Sequence, residues 1–244
     1  MKYGLQMFSV RDLTGKDLAM ALSEVAEMGY HYIEFAGFFG HSAEDVKAML
    51  DKNGLVCSGT HSDWHWACDN FEEAVAYHKT IGAKAFIIPG ADLSTRAKLD
   101  DFIEKTNKLV PMFEAEGIEL AYHNHSYEFL PTAEGFIMHD ELQKRSKMKF
   151  EIDTFWVWNA DLCPIETLEK LKGRVSVIHL KDGIKDGEGR SLGLGDAPVK
   201  AVREYCIKNN LTMIVESEGL KPTGLSEVRR CIEFLNLCDR AEGI

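Results

Sequence analysis

Short runs of β-branched and aromatic residues alternate along the chain with longer segments in which apolar residues recur every three or four positions. The short runs predict buried strands, and the longer segments predict helices that pack one face against a sheet. Leu18, Ala21, Leu22 and Val25 have the helical spacing, and Gly29 follows as a typical helix stop. The alternation therefore predicts repeated βα units around a parallel sheet.

The number of strand-like runs distinguishes between architectures. Eight candidates can be read from the sequence, at 4–8, 31–35, 55–60, 85–88, 119–123, 149–152, 175–180 and 212–216. Eight units favour a closed (β/α)8 TIM barrel, while an open doubly wound sheet remains the alternative. Without a Pro/Ser-rich linker or low-complexity tract, we expect residues 1–244 to form a single α/β domain.

Composition limits the cellular setting. The chain is 45% hydrophobic and 27% charged, and its apolar runs are far shorter than a membrane span. The N-terminal MKYGLQMFSVRD lacks the pattern of a secretory signal, and the six cysteines contain no C-x-x-C pair. We therefore expect a soluble, cytoplasmic protein with reduced thiols and no membrane partner.

The net charge bears on partners. With 28 Lys+Arg against 39 Asp+Glu, the chain carries −11 and has no basic cluster in the sequence. Such a surface repels polyanions, so we predict no nucleic-acid partner. The sequence leaves open whether the chain forms a homo-oligomer.

Polar residues gather at the predicted C-terminal ends of strands 5 to 8, where a (β/α)8 barrel builds its active site. These ends read A-Y-H-N-H-S-Y-E, F-E-I-D-T-F-W, V-I-H-L-K-D and I-V-E-S-E. Buried carboxylates around an imidazole repel one another unless a cation lies between them. We predict one divalent metal ion, and mixed N/O ligands favour Mn²⁺, Zn²⁺, Co²⁺ or Fe²⁺ over Mg²⁺.

Asp153, His179 and Glu216 are the predicted ligands at the ends of strands 6, 7 and 8. Taken singly, Asp153 could be a helix N-cap and His179 a core histidine. Glu216 ends the apolar strand M-I-V and needs a partner. A shared cation explains all three positions together.

His123 and His125 lie two positions apart, so they share a face if strand 5 continues through both. One could bind the ion while the other transfers protons. The alternative is a polar loop in which one histidine caps a helix.

The barrel mouth is also predicted to bind a small-molecule carbohydrate substrate. Trp156 offers a ring that can stack on a sugar, although such rings also fill barrel rims. The glycine-rich segment after His179 lacks the Lys and Ser/Thr of a phosphate loop and any dinucleotide fingerprint. The predicted substrate contacts are Gln6, His61, Trp156, Lys181 and Arg190, the last two of which could also be solvated charges.

These motifs occur in the order L-Q-M-F-S-V-R-D, Y-H-N-H-S-Y-E-F, E-I-D-T-F-W-V, H-L-K-D and L-G-L-G-D. Over nearly its whole length the chain resembles the xylose-isomerase-like barrel superfamily of sugar phosphate isomerases/epimerases. The resemblance implies a (β/α)8 fold and one divalent ion, with ligands at His123, Asp153, His179 and Glu216. It also places a substrate-binding arginine at Arg190.

One position departs from the ketose 3-epimerase branch, which typically has a glutamate where this chain has His123. The H-N-H segment looks more like the inosose dehydratase and 3-keto-glycoside hydratase/lyase branches. Endonuclease IV-like DNA repair enzymes share the superfamily, but Trp156 stands where they have a histidine.

The predicted activity is abstraction of a proton beside a sugar carbonyl, with the metal stabilising an enediolate and Glu216 with His125 or His123 as acid and base. Return of the proton makes an isomerase or epimerase. Loss of a β-substituent makes a dehydratase or lyase. A non-catalytic sugar-binding barrel is a further alternative.

Overall fold

A computed structural model describes residues 1–185 and 187–244. Eight parallel strands form a closed barrel, in which the first strand pairs with both the second and the eighth. The prediction of a (β/α)8 TIM barrel is confirmed. The strands are β1 Gly4–Gln6, β2 Tyr32–Ala36, β3 Val56–His61, β4 Ala85–Ile88, β5 Glu119–His123, β6 Lys149–Asp153, β7 Val175–Leu180 and β8 Met213–Val215.

Helices surround the strands. Those of the α type are Arg11–Thr14, Leu18–Glu27, Ala43–Asn53, Trp64–Asp69, Phe71–Ile81, Arg96–Ala115, Met138–Arg145, Thr154–Asn159, Pro164–Lys170, Val199–Asn209 and Gly224–Glu242. Short 3-10 helices occupy Met7–Val10 and Tyr127–Phe129, and a two-stranded hairpin joins Asp182–Gly183 to Gly189–Arg190. In the part of the chain that is described, no helix is both long and apolar enough to cross a bilayer.

Helix ends follow the sequence signals. Ser42 caps the helix Ala43–Asn53 by accepting the N–H of Asp45, and Gly54 ends it with a φ of 65°. Gly82 ends Phe71–Ile81 in the same left-handed conformation, with a φ of 75°. Glycine adopts this conformation without the strain that a Cβ atom would cause, and the predicted stop Gly29 likewise follows the helix Leu18–Glu27 with a φ of 98°.

The buried apolar side chains form two clusters. The larger core lies between the strands and the surrounding helices. A smaller cluster inside the barrel consists of Ala85, Ile87, Ala121, Val177 and Ile214, with Tyr32 packed against it. Buried polar side chains follow toward the C-terminal strand ends, and these form the candidate site.

Candidate functional site

The C-terminal ends of β5 to β8 bring the predicted ligands together. One ligand-type atom from each of His123, Asp153, His179 and Glu216 lies within 4.8 Å of the others, and all four side chains are buried. The register contributes directly, because Asp153 of β6 pairs with His179 of β7. The structure thus assembles the group, while its binding of a metal remains a prediction.

The two carboxylate oxygens of Asp153 have different surroundings. Its Oδ1 accepts the backbone N–H of Trp156 at 2.9 Å and caps the helix Thr154–Asn159. Its Oδ2 is buried and has no hydrogen-bond partner within residues 1–185 and 187–244. One oxygen therefore holds the helix and the other is available to a ligand.

His179 also presents a buried atom that lacks a hydrogen-bond partner among the described residues, its Nδ1. This nitrogen lies 3.5 Å from Oε2 of Glu216 and 3.9 Å from Oδ2 of Asp153. Buried polar atoms in native proteins are nearly always paired. A nitrogen and two carboxylate oxygens that converge in this way are a donor set that fits a divalent cation.

Lys181 lies beside this group rather than at the surface. Its Nζ is 3.1 Å from Oε2 of Glu216, 2.6 Å from Oε1 of Glu218 and 3.7 Å from Oδ2 of Asp153. It also lies 4.4 Å from the centre of the Trp156 ring. Lys181 is therefore buried against carboxylates, and the interpretation as a solvated charge is wrong.

The carboxylates of the group differ in ionisation. Burial alone would raise the pKa of Glu216, but Lys181 and His179 hold that pKa well below its usual range. Burial raises the pKa of Asp153 to about 7, against the lowering effect of Lys181. Since Lys181 is closer to Glu216 than to Asp153, one ammonium group does not compensate both carboxylates, and the group can accept more positive charge.

A second layer of polar side chains lies on neighbouring strands beneath this group. Its two carboxylates, Glu34 and Glu151, were not predicted from the sequence. Oε1 of Glu34 is 2.7 Å from both Gln6 Nε2 and His179 Nε2. Oε2 of Glu151 is 2.6 Å from His61 Nε2 and 3.0 Å from His123 Nδ1. We call Glu34 and Glu151 the inner carboxylates.

Gln6 belongs to this inner layer. It is fully buried, and its amide bonds Glu34. Gln6 is not among the residues that line the cavity at the barrel mouth, so a substrate contact at Gln6 stays a prediction.

A cavity of about 440 Å³ opens at the C-terminal mouth above these layers. Its lining includes His61, His123, His125 and Glu216, all of which the sequence analysis singled out. The other lining residues are Phe8, Ala36, Gly37, Pro89 and Glu218. Glu218 lies two positions beyond Glu216, and the alternation of side chains along an extended segment could have revealed it.

His125 lies just beyond β5, which ends at His123. The two rings meet edge to face with centroids 4.9 Å apart. Glu128 fixes the turn by accepting the backbone N–H of His125 at 2.8 Å. Burial, assisted by the charge of Lys181, lowers the pKa of His125 to about 4. His125 is therefore a neutral imidazole at neutral pH, able to take up a proton.

The two other predicted substrate contacts, Trp156 and Arg190, lie outside the cavity lining. Trp156 packs its ring 5.9 Å from that of His125. Arg190, in the hairpin after β7, pairs with Glu188 at 3.0 Å and is 38% exposed. A substrate contact at Arg190 stays a prediction.

The glycine-rich segment after β7 is organised by Asp182. Its carboxylate accepts the backbone N–H groups of Gly193 at 2.8 Å, Gly195 at 3.1 Å and Ala197 at 3.2 Å. These amides stabilise the fold of the segment. Asp186, in the same segment, lies outside the described residues.

Comparison with known proteins agrees with the fold. Residues 22–236 match the family model of the xylose isomerase-like TIM barrel. The chain is 22% identical over 186 residues to an inosose dehydratase of Geobacillus kaustophilus (strain HTA426). That match covers 66% of this chain and 60% of the relative, so it spans less than two thirds of the relative's length.

Solved structures superpose over nearly the whole chain. A sugar phosphate isomerase/epimerase from Parabacteroides distasonis has a TM-score of 0.82 at 25% identity, covering 96% of this chain and 97% of that one. The IOLI protein, solved with a zinc atom, has a TM-score of 0.72 at 14% identity and covers 98% and 99%. With a family model that matches from residue 22 to residue 236, this protein belongs to the xylose isomerase-like TIM barrel family.

Proposed function

We propose that this protein is a metal-dependent sugar or sugar phosphate isomerase or epimerase that removes a proton beside a carbonyl group. One observation carries the proposal: the unpaired Oδ2 of Asp153 and Nδ1 of His179 converge beside Glu216, which lines the cavity. The sugar phosphate isomerase/epimerase of similar fold and the zinc atom of IOLI support it.

His123, Asp153, His179 and Glu216 would hold the ion, since they provide two nitrogens and two carboxylates within 4.8 Å of one another. When bound, a divalent ion supplies a Lewis acid that polarises a carbonyl oxygen and offsets the charge of an enediolate. The mixed donors favour Mn²⁺, Zn²⁺, Co²⁺ or Fe²⁺ over Mg²⁺.

Protein side chains provide the proton transfer. The imidazole of His125 lines the cavity, and in its neutral form it offers a nitrogen that can accept a proton from a substrate carbon. The Glu216 carboxylate is held ionised by Lys181 and provides a second base. Return of the proton to the other face of the same carbon gives epimerisation, and return to the neighbouring carbon gives isomerisation.

The cavity suits a ligand of sugar size. Its volume of about 440 Å³ lies within the usual range for small-molecule sites. The Phe8 ring on one wall can pack against the C–H face of a sugar, while Glu218 can accept hydrogen bonds from hydroxyl groups.

A dehydratase or lyase acting on an inosose or a 3-keto-glycoside is the second candidate. Two adjacent imidazoles, His123 and His125, favour it, because they make the acid and base groups around the cavity chemically unequal. The inosose dehydratase relative supports the same choice. The reaction would begin with the same proton removal, after which the β-hydroxyl group leaves as water.

Turnover in D₂O distinguishes the candidates. The metal-loaded protein is incubated with a panel of ketoses, aldoses, their phosphates, an inosose and a 3-keto-glycoside, and products are followed by NMR and mass spectrometry. An isomerase or epimerase yields an isomer carrying deuterium on carbon. A dehydratase yields a product lighter by one water. A product formed without carbon deuteration in the isomer case would contradict proton abstraction.

Matched variants connect the reaction to the cavity. His125→Asn should reduce kcat by about 10²- to 10⁴-fold, the usual contribution of a general base. His65→Asn, which changes an exposed histidine paired with Asp63, is the control and should leave kcat unchanged. Equal rates for the two variants would remove His125 from the mechanism.

A further inference from the structure

The hydrogen bonds of Gln6 fix the orientation of the deeper network. Oε1 of Gln6 accepts the backbone N–H of Phe8 at 3.0 Å, so the amide nitrogen is the end that faces Glu34 at 2.7 Å. Oε1 of Glu34 is therefore an acceptor. The same oxygen lies 2.7 Å from Nε2 of His179, so that nitrogen carries the proton.

A neutral imidazole has one N–H and one lone pair. With its proton on Nε2, His179 presents its lone pair at Nδ1, the atom that faces Asp153 and Glu216. The inner carboxylate Glu34 thus selects the tautomer that a metal ligand at this position requires.

The same reasoning applies to His123. Its Nδ1 lies 3.0 Å from Oε2 of Glu151. Nε2 of His61 lies 2.6 Å from the same oxygen. Nδ1 of His123 therefore carries the proton, and its lone pair is at Nε2. Glu151 precedes Asp153 by two positions on β6, so both side chains point to the same side of the strand, one above the other.

We infer that Glu34 and Glu151 are positioning residues that set the tautomers of His179 and His123 and so direct both histidines toward a single ion beside Asp153 and Glu216. The inference rests on the proposed metal site. Metal-bound histidines commonly donate their second N–H to a carboxylate in this manner, and loss of the carboxylate lowers metal affinity by about 10- to 100-fold.

The inference also fixes the number of ions. His61, His123, Glu151 and His179 form another group whose ligand-type atoms lie within 4.8 Å of one another. An ion there would need the lone pair of His123 or His179 on the side that faces the inner carboxylates. Each neutral imidazole has only one lone pair, so the group is a hydrogen-bonded layer, and the chain should bind one ion.

Nitrogen NMR tests the tautomers directly. Protein labelled with ¹⁵N-histidine is recorded in long-range ¹H–¹⁵N spectra without metal and with Zn²⁺, whose filled d shell keeps the spectra diamagnetic. The expected result is a protonated Nδ1 on His123 and a protonated Nε2 on His179 when Zn²⁺ is bound. Only the opposite nitrogens should shift on addition of one equivalent of Zn²⁺.

The opposite tautomers, or a second tightly bound equivalent of Zn²⁺, would overturn the inference. If no Zn²⁺ binds, the proposed metal site fails; if Zn²⁺ binds while the opposite nitrogens carry the protons, the tautomer inference fails alone. The two failures are therefore distinguishable.

Variants of the inner carboxylates measure the effect on affinity. Glu151→Gln and Glu34→Gln should each weaken Zn²⁺ binding by about 10- to 100-fold in a competition with a chromophoric chelator. Glu119→Gln is the matched control, because Glu119 lies at the start of β5 and bonds Ser176 at 2.5 Å. Unchanged affinity in the first two variants would refute the role of the inner carboxylates. If either variant does not fold, the wild-type spectra decide the question.

Discussion

The two oxygens of Asp153 have different partners, so two substitutions should separate their effects. Asp153→Asn keeps an acceptor for the Trp156 N–H, because Asn and Asp are equally good N-caps. It replaces the unpaired Oδ2 by an amide or a neutral oxygen. Asp153→Ala removes both the cap and the ligand.

The magnitudes follow from these contacts. In metal-free protein, Asp153→Asn should change the free energy of unfolding by less than about 1 kcal/mol. Asp153→Ala should lower it by about a further 0.5–2 kcal/mol, which is the usual cost of losing an N-cap. A bound ion at 100 times its Kd adds about 2.7 kcal/mol to wild-type stability. Both variants should lose nearly all of that gain.

The assay is urea unfolding with EDTA and with Mn²⁺ at 100 times the wild-type Kd. Mn²⁺ is chosen because it prefers oxygen and nitrogen ligands, whereas Zn²⁺ would also bind the free cysteines of the unfolded chain. Asp63→Asn is the control, since Asp63 caps the helix Trp64–Asp69 and has no place in the ligand group. Full Mn²⁺ stabilisation of Asp153→Asn would refute the ligand role and leave Asp153 as a cap alone.

Three further predictions concern the surroundings of the site. Lys181→Met breaks the buried ion pairs with Glu216 and Glu218 and should cost about 3–5 kcal/mol in urea unfolding with EDTA, but less with Mn²⁺ bound; equal costs would contradict the shared charge compensation. Burial lowers the pKa of His78 from 6.5 to about 4, so the unfolded chain takes up this proton first and stability should fall by about 1.4 kcal/mol per unit as the pH drops from 6.5 toward 4. Between pH 7 and pH 5, the free energy of unfolding of His78→Leu should therefore fall less steeply with decreasing pH than that of the wild type. Equal slopes for the two proteins would refute this contribution of His78. Asp182→Ala should increase hydrogen exchange of the Gly193 and Gly195 amides by at least about tenfold, because each loses its acceptor; unchanged exchange would show that other contacts hold the segment.

Sequence periodicity was sufficient to predict the barrel, because eight alternations of strand and helix leave few other parallel arrangements. Boundaries were less certain. The run 4–8 overlaps the 3-10 helix Met7–Val10 at Met7 and Phe8, and the side chain of Gln6 caps that helix by accepting the N–H of Phe8. That cap depends on a local backbone turn that apolar patterning does not report.

The group of His123, Asp153, His179 and Glu216 was predictable because each member lies at or next to the C-terminal end of a strand, and strand ends converge in a barrel. Glu151 could have been found from its spacing of two from Asp153. Glu34 could not, because its role depends on pairing of β1 with β2 and on a histidine 145 positions away. The pair of Arg190 with Glu188 could not be predicted either, because it depends on a hairpin of two short strands.

The most direct measurement is an anomalous-difference map from crystals of metal-loaded protein, recorded at the absorption edge of the ion. The account predicts one peak per chain, within about 2.0–2.3 Å of Nε2 of His123, Oδ2 of Asp153, Nδ1 of His179 and an oxygen of Glu216. A peak among His61, Glu151 and Glu34 instead, or no peak in protein saturated with metal, would contradict it.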